Sequence, residues 1–292
     1  MSSIAPRHLF FLLIITFIWG LNLVLSRIGL EHVPPLLFTF LRFLVIAILL
    51  APFLRVVPGQ MSALIVAGLL SGAISLSLLF AGLAMSPTVS AVAIAGQLGV
   101  PFTTLLSVAL LGETVRWRRW LGITLSFGGV MTMGLDPQVF DALQSLTLVV
   151  ASAFIGSLGL IAVKRLKGFK PLEIQAWFAW LSAPWLLAMT VGIEDTKFAT
   201  VLAVPLVGWA VIAFTALGAS IVAHTGFYYL IQRYPVTSVA PLTVLSPVFS
   251  VALSVWLLGE TLTMRLALGG VLTLLGVLII TLRERRMIDT GS

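Results

Sequence analysis

Hydrogen-bonding side chains are sparse in this chain, so those inside long apolar stretches mark where chemistry could occur. Trp19, Gly20 and Asn22 fall in the second half of the first apolar run. Asn22 can donate and accept, Trp19 offers an aromatic wall, and Gly20 permits close approach. Gln97 lies well inside the fourth run, four residues before Pro101, and proline frees a backbone carbonyl and can kink a helix toward a cavity. The ninth run carries Thr243, Ser246 and Pro247, so a kinked polar helix is expected twice. His224 and Tyr228 stand four apart in the eighth run and share a helical face. Ser157 lies between Gly156 and Gly159, and Phe80, Trp177 and Trp180 add rings. Amides, hydroxyls and rings in this arrangement suit reversible binding of a small polar or zwitterionic molecule. The candidate binding set is Trp19, Asn22, Phe80, Gln97, Ser157, His224, Tyr228 and Ser246.

Each of these residues also has a structural reading. Small and polar residues join helices within membranes, a lone histidine can serve one internal hydrogen bond, and rings at span ends form interfacial belts. Arg42, about eight residues into the second run, either snorkels, binds backbone carbonyls or binds a substrate carboxylate. No Asp or Glu stands in the middle of any run, so proton coupling would fall to His224 or another group. Nothing resembles a phosphate-binding loop, a paired-carboxylate metal site or a nucleophile beside its base. Neither enzymatic activity, a cofactor nor a bound metal is expected.

Those residues need positioning by elements that can only be membrane helices. Of 292 residues, 60% are hydrophobic and 9% charged, far below the roughly 25% charge of soluble domains. The mean hydropathy is +1.15. A β-barrel would alternate apolar and polar residues in ten-residue segments, and none do. Cysteine is absent, which excludes disulfides and thiolate chemistry. The first run lacks a cleavage signature and is expected to be retained. Ten spans are expected, at about 8–27, 34–54, 62–85, 88–111, 117–135, 142–165, 171–191, 205–231, 236–258 and 263–282, each close to the length that crosses about 30 Å of hydrocarbon. With the N-terminus inside, thirteen basic residues fall on the cytoplasmic side. Only Arg27, Lys197 and Arg265 fall outside, with Asp136, Asp141, Glu194 and Asp195. That bias places both termini in the cytoplasm and makes the net charge of +7 an orientation signal.

The string Leu-Leu-Gly-Glu-Thr occurs at Leu110 to Thr114 and again at Leu257 to Thr261, an offset of 147. Around it Arg118 answers Arg265, Gly122 answers Gly269 and Gly129 answers Gly276. A fixed offset of half the chain means two copies of one unit, 1–138 and 139–292. Five spans per unit is odd, so the second copy enters the membrane inverted, as in secondary transporters with a site between the halves. Glu113 and Glu260 then occupy helix ends on opposite faces, as connector residues that pair with nearby arginines. Gly112 and Gly259 are expected to end one helix and the following threonine to cap the next. The fold class is an all-α membrane protein of ten transmembrane helices in two inverted five-helix repeats.

Trp19-Gly20-Leu21-Asn22, Pro34-Pro35 with Leu41-Arg42-Phe43, Arg233-Tyr234, Val239-Ala240-Pro241 and the two Leu-Leu-Gly-Glu segments together resemble the EamA family of the drug/metabolite transporter superfamily. The resemblance covers nearly the whole chain. It implies alternating access and export of small metabolites from the bacterial inner (plasma) membrane. It is strongest toward the amino-acid exporters described for O-acetylserine and cysteine or for aromatic amino acids, and does not choose between them. A cavity lined by the first, third, fourth, sixth, eighth and ninth spans is expected. The partners are then a small-molecule substrate and the bilayer, with no nucleic acid, and two halves in one chain permit a functional monomer. A broad drug or organic-cation exporter and a membrane channel remain the alternatives.

Overall fold

The computed structural model describes residues 5–111, 115–234 and 239–288, and every regular element among them is helical. Gly112, Glu113, the side chains of Tyr228, Arg283, Arg285 and Arg286, and the tail after Ile288 lie outside the described residues. The principal helices are α1 (Pro6–Leu30), α2 (Pro35–Phe53), α3 (Met61–Met85), α4 (Val89–Leu110), α5 (Trp117–Gly134), α6 (Leu143–Lys164), α7 (Pro171–Ile193), α8 (Leu206–Phe227, continuing to Arg233), α9 (Leu242–Leu258) and α10 (Met264–Ile288). Among the described residues, eight of these are long and apolar enough to cross a membrane; α5 and α9 fall short of that measure. Helix α5 spends its composition on Arg118, Arg119 and four glycines, and α9 is short. Prolines start α1, α2 and α7, where the missing N–H costs nothing. Gly259 ends α9 at φ 67°, a left-handed conformation glycine enters without penalty. The cap of α10 is Thr263, whose Oγ1 accepts the Leu266 N–H at 3.1 Å, rather than the expected Thr261.

Helices α5 and α10 pack with their backbones in contact, and their glycines are the reason. A Cβ added to Gly122 would stand 2.7 Å from the Gly276 carbonyl, and one on Gly129 would stand 2.5 Å from the Gly269 carbonyl. Ser126 donates to the Thr273 carbonyl at 3.4 Å, and Thr273 returns a bond to the Ser126 carbonyl at 3.3 Å. The helices therefore run antiparallel, and each glycine meets the counterpart of the other. That reciprocity is the signature of a contact around a two-fold axis.

Five helices depart from regular α geometry, α2 only in its last turn, a 3-10 segment at Ala51–Phe53. Helix α3 contains a π segment at Leu69–Ile74 and α8 another at Thr215–Ala223. Helix α4 tightens to 3-10 geometry at Gly96–Leu98, and α9 opens with a 3-10 turn at Ala240–Val244. Pro101 has no N–H to offer the Gln97 carbonyl, which accounts for the place of the break in α4.

One face of the bundle is stitched by charges seated on helix ends. Glu260 accepts the backbone N–H groups of Val89 and of Ser90 (3.2 Å) at the start of α4, with the Ser90 hydroxyl at 2.6 Å. Glu194 accepts the N–H groups of Leu36 and Leu37 at the start of α2, at 2.7 and 3.0 Å. Arg27 donates to the carbonyls of Leu83 and Ala84 at the end of α3, and Arg265 to that of Leu135 at the end of α5. The Thr263 hydroxyl donates to Asp136. Each charge sits where the helix dipole and the unpaired end groups favour its sign. Glu260 thus caps a helix instead of pairing with an arginine. Arg27 and Arg265, two of the exceptions to the basic-residue bias, are tied to carbonyls here.

Candidate functional site: two cavities beside the broken fourth helix

Trp19 and Asn22 of α1, Gln97 of α4, His224 and Phe227 of α8, and Thr243 and Ser246 of α9 line one cavity of about 410 Å³. The four helices converge because α1 and α9 touch closely: a Cβ on Gly20 would stand 2.7 Å from Cβ of Phe249 and 2.8 Å from the Ser246 carbonyl. The break in α4 turns Gln97 into the same space. Asn22 Oδ1 is shielded from solvent and has no hydrogen-bond partner. Such an orphan costs about 1–3 kcal/mol unless a ligand or water satisfies it.

His224 Nδ1 lies 2.6 Å from the Ala219 carbonyl and 3.4 Å from Nε1 of Trp19. A carbonyl only accepts, so the shorter contact requires the proton on Nδ1, and the longer one is then an edge contact between rings. The rings of Trp19 and His224 are 5.1 Å apart at 61°, and the Phe227 ring stands 5.3 Å from Trp19 at 59°. In this tautomer Nε2 carries the lone pair. The cavity thus combines a hydrogen-bond acceptor, an amide without a partner and aromatic faces, with no carboxylate in its lining. That set can hold a ligand ammonium by hydrogen bonds and ring faces.

Five of the eight candidate binding residues meet here, Trp19, Asn22, Gln97, His224 and Ser246, together with Thr243 of the expected polar ninth helix. Phe80 is elsewhere, buried with its ring 5.1 Å from Phe38 and beneath the Arg42 guanidinium at 5.6 Å. Arg42 itself is buried and donates to the Ser220 hydroxyl at 2.8 and 3.2 Å, a tie from α2 to the π segment of α8. It holds helices together rather than snorkelling. Trp177 and Trp180 donate to the carbonyls of Arg55 and Ala47. Phe227 was not picked out from the sequence, although it stands three residues from His224 and therefore on its face.

Ser157 belongs to a second cavity of about 510 Å³, between α3, α4, α5, α6 and α10. Its hydroxyl is spent on the carbonyls of Ala153 at 2.7 Å and Gly99 at 2.9 Å. The expected single cavity is therefore two spaces flanking one turn of α4: Gly96 lines the second and Gln97 the first.

The architecture has known counterparts. A solved crystal structure matches 97% of this chain and 99% of its own length with a TM-score of 0.66 at 18% identity, which establishes a shared fold. A Salmonella typhimurium protein named probable amino-acid metabolite efflux pump is 28% identical across 92% of this chain and 93% of its own. An Escherichia coli K12 protein of the same name is 27% identical across 96% and 97%. The uncharacterized inner membrane transporter YedA of Escherichia coli is 28% identical across 84% and 81%. The model of the EamA-like transporter family matches residues 7–135 and again residues 143–282. The chain belongs to the EamA-like transporter family and is a membrane transporter with several spans, not an enzyme.

Proposed function

We propose that this transporter exports amino acids or related small metabolites across the bacterial inner membrane by alternating access. Its ten spans form two inverted five-helix units, 1–138 and 139–292, with both termini in the cytoplasm. Support for the inversion comes from the reciprocal α5–α10 contact, from paired π segments in α3 and α8, from paired 3-10 segments in α4 and α9, and from the double family match. The cytoplasmic termini follow from the distribution of Lys and Arg. Trp19, Asn22, Gln97, His224 and Ser246, with Tyr228 beside them in sequence, bind the substrate's amino end; Ser157 and Phe80 act through packing. The substrate class rests on one observation: a carboxylate-free cavity that presents an unpartnered Asn22 amide beside aromatic rings. Two relatives named probable amino-acid metabolite efflux pump point the same way.

Counterflow of labelled L-serine, L-cysteine and L-phenylalanine into proteoliposomes, with and without a pH gradient, tests this. Native protein should exchange at least one of them saturably. Asn22→Leu should lower transport about tenfold or more while leaving thermal stability unchanged or raised, because it removes a buried polar orphan. Transport of organic cations alone, or conduction without saturation, would replace the amino-acid assignment.

A further inference from the structure

Arg119 and Lys164 count in the sequence only as orientation charges, yet both line the second cavity. That cavity runs along α4 from Gly96, beside the first cavity, to Ser107 near the helix end. At about 1.5 Å per residue this is about 16 Å, or half the hydrocarbon thickness. Hydroxyls of Thr103, Thr104 and Ser107 stand along the same stretch, and no Asp or Glu appears in the lining. Lys164 is exposed at the mouth, whereas Arg119 is half-buried. Arg119 Nε is sealed from solvent without a hydrogen-bond partner, and Arg119 forms no ion pair among the described residues. Its neighbour Arg118 lies over the Trp117 ring, and Arg165 donates to the Leu110 carbonyl, so these cations are already engaged.

A guanidinium whose Nε has no acceptor among the described residues, at the head of a hydroxyl-lined channel, is matched to an anionic group. We propose that the second cavity is an entry site for the substrate's carboxylate: Lys164 attracts it, Arg119 binds it, and the Thr103–Ser107 stretch leads to the turn at Gly96–Gln97. Gly96 leaves that turn open, since a Cβ there would meet nothing within 4 Å. The inference rests on the export reading above and adds a requirement to it, namely recognition of the carboxylate apart from the ammonium.

The test is counterflow by the full chain of L-phenylalanine and its uncharged-carboxyl analogue, the methyl ester, in neutral vesicles and in vesicles containing phosphatidylglycerol. Native protein should favour the acid, and Arg119→Gln should erase the preference by raising KM for the acid about tenfold, the value of one charge-assisted bond, with the ester unchanged. Arg119→Lys should recover most of it, which separates charge recognition from misfolding. Equal losses for acid and ester, or an unaltered preference in Arg119→Gln, overturn the entry site while transport itself stands. An effect confined to phosphatidylglycerol vesicles assigns the cations to lipid headgroups and likewise overturns it. Absence of transport of either compound by the native chain overturns the export reading and the entry site together.

Discussion

On one face of the bundle Glu194, Glu260, Arg27 and Arg265 each sit on a helix end of opposite sign, while toward the other face Arg119 and Lys164 border a cavity and Arg119 Nε has no acceptor among the described residues. Among the described residues, the ties on that second face are fewer and more exposed. They include the Arg55–Glu173 pair at 3.7 Å, with Arg55 60% exposed, and a bond from Lys167 N–H to Gln60 at 3.1 Å. The difference teaches that charge number does not report charge use. Arg27 and Arg265 on the face poor in cations are tied to carbonyls, whereas Arg119 and Lys164 on the face rich in cations line a cavity.

The absence of cysteine gives the sharpest way to break this comparison. A single cysteine at Thr103, in the second cavity, should react with a small water-soluble thiol reagent about a hundredfold faster than one at Ser90, buried under Glu260, if local opening of the stitched face costs about 3 kcal/mol. Comparable rates would mean that the two faces are equally open. The next effect is on stability. Glu260→Ala strips three donors of their acceptor and should lower unfolding stability in detergent by about 2–3 kcal/mol, seen as a lower Tm, and should also speed labelling at Ser90. Arg27→Gln removes two bonds to carbonyls and should cost about 1–2 kcal/mol. Smallest of all, Arg165→Gln on the exposed opposite face should change stability by no more than about 0.5 kcal/mol. If Arg165 proves as costly as Arg27, the contrast between the faces fails.

Much of this was legible in the sequence because a bilayer leaves few options. Long apolar runs separated by Ser86-Pro87 or Tyr234-Pro235 can only be helices, and the matched Gln97–Pro101 and Ser246–Pro247 pairs marked two of the distorted helices. Asn22, Gln97, His224 and Ser246 met because polar side chains at mid-depth must turn away from lipid. What stayed hidden depends on neighbours distant in sequence. Glu260 reads as a loop charge until the start of α4, about 170 residues away, is placed beneath it. Phe80 reads as a cavity ring until Phe38 and Arg42 are packed against it. The π segments of α3 and α8 contain no proline to mark them in the sequence; Ser182 and Ser152 bond to α3 on either side of the first, and Arg42 bonds to Ser220 within the second. Helix α5 loses apolar character to glycines whose purpose appears only when α10 lies against them.

That glycine seam sets which part of the molecule can stand still. A two-fold-related contact is mapped onto itself when the two units trade shapes, so Ser126 and Thr273 would face each other before and after such an exchange. Under the alternating access proposed above, the seam would be the fulcrum, and a side chain wedged at Gly129, where a Cβ would already meet the Gly269 carbonyl at 2.5 Å, would block both directions equally.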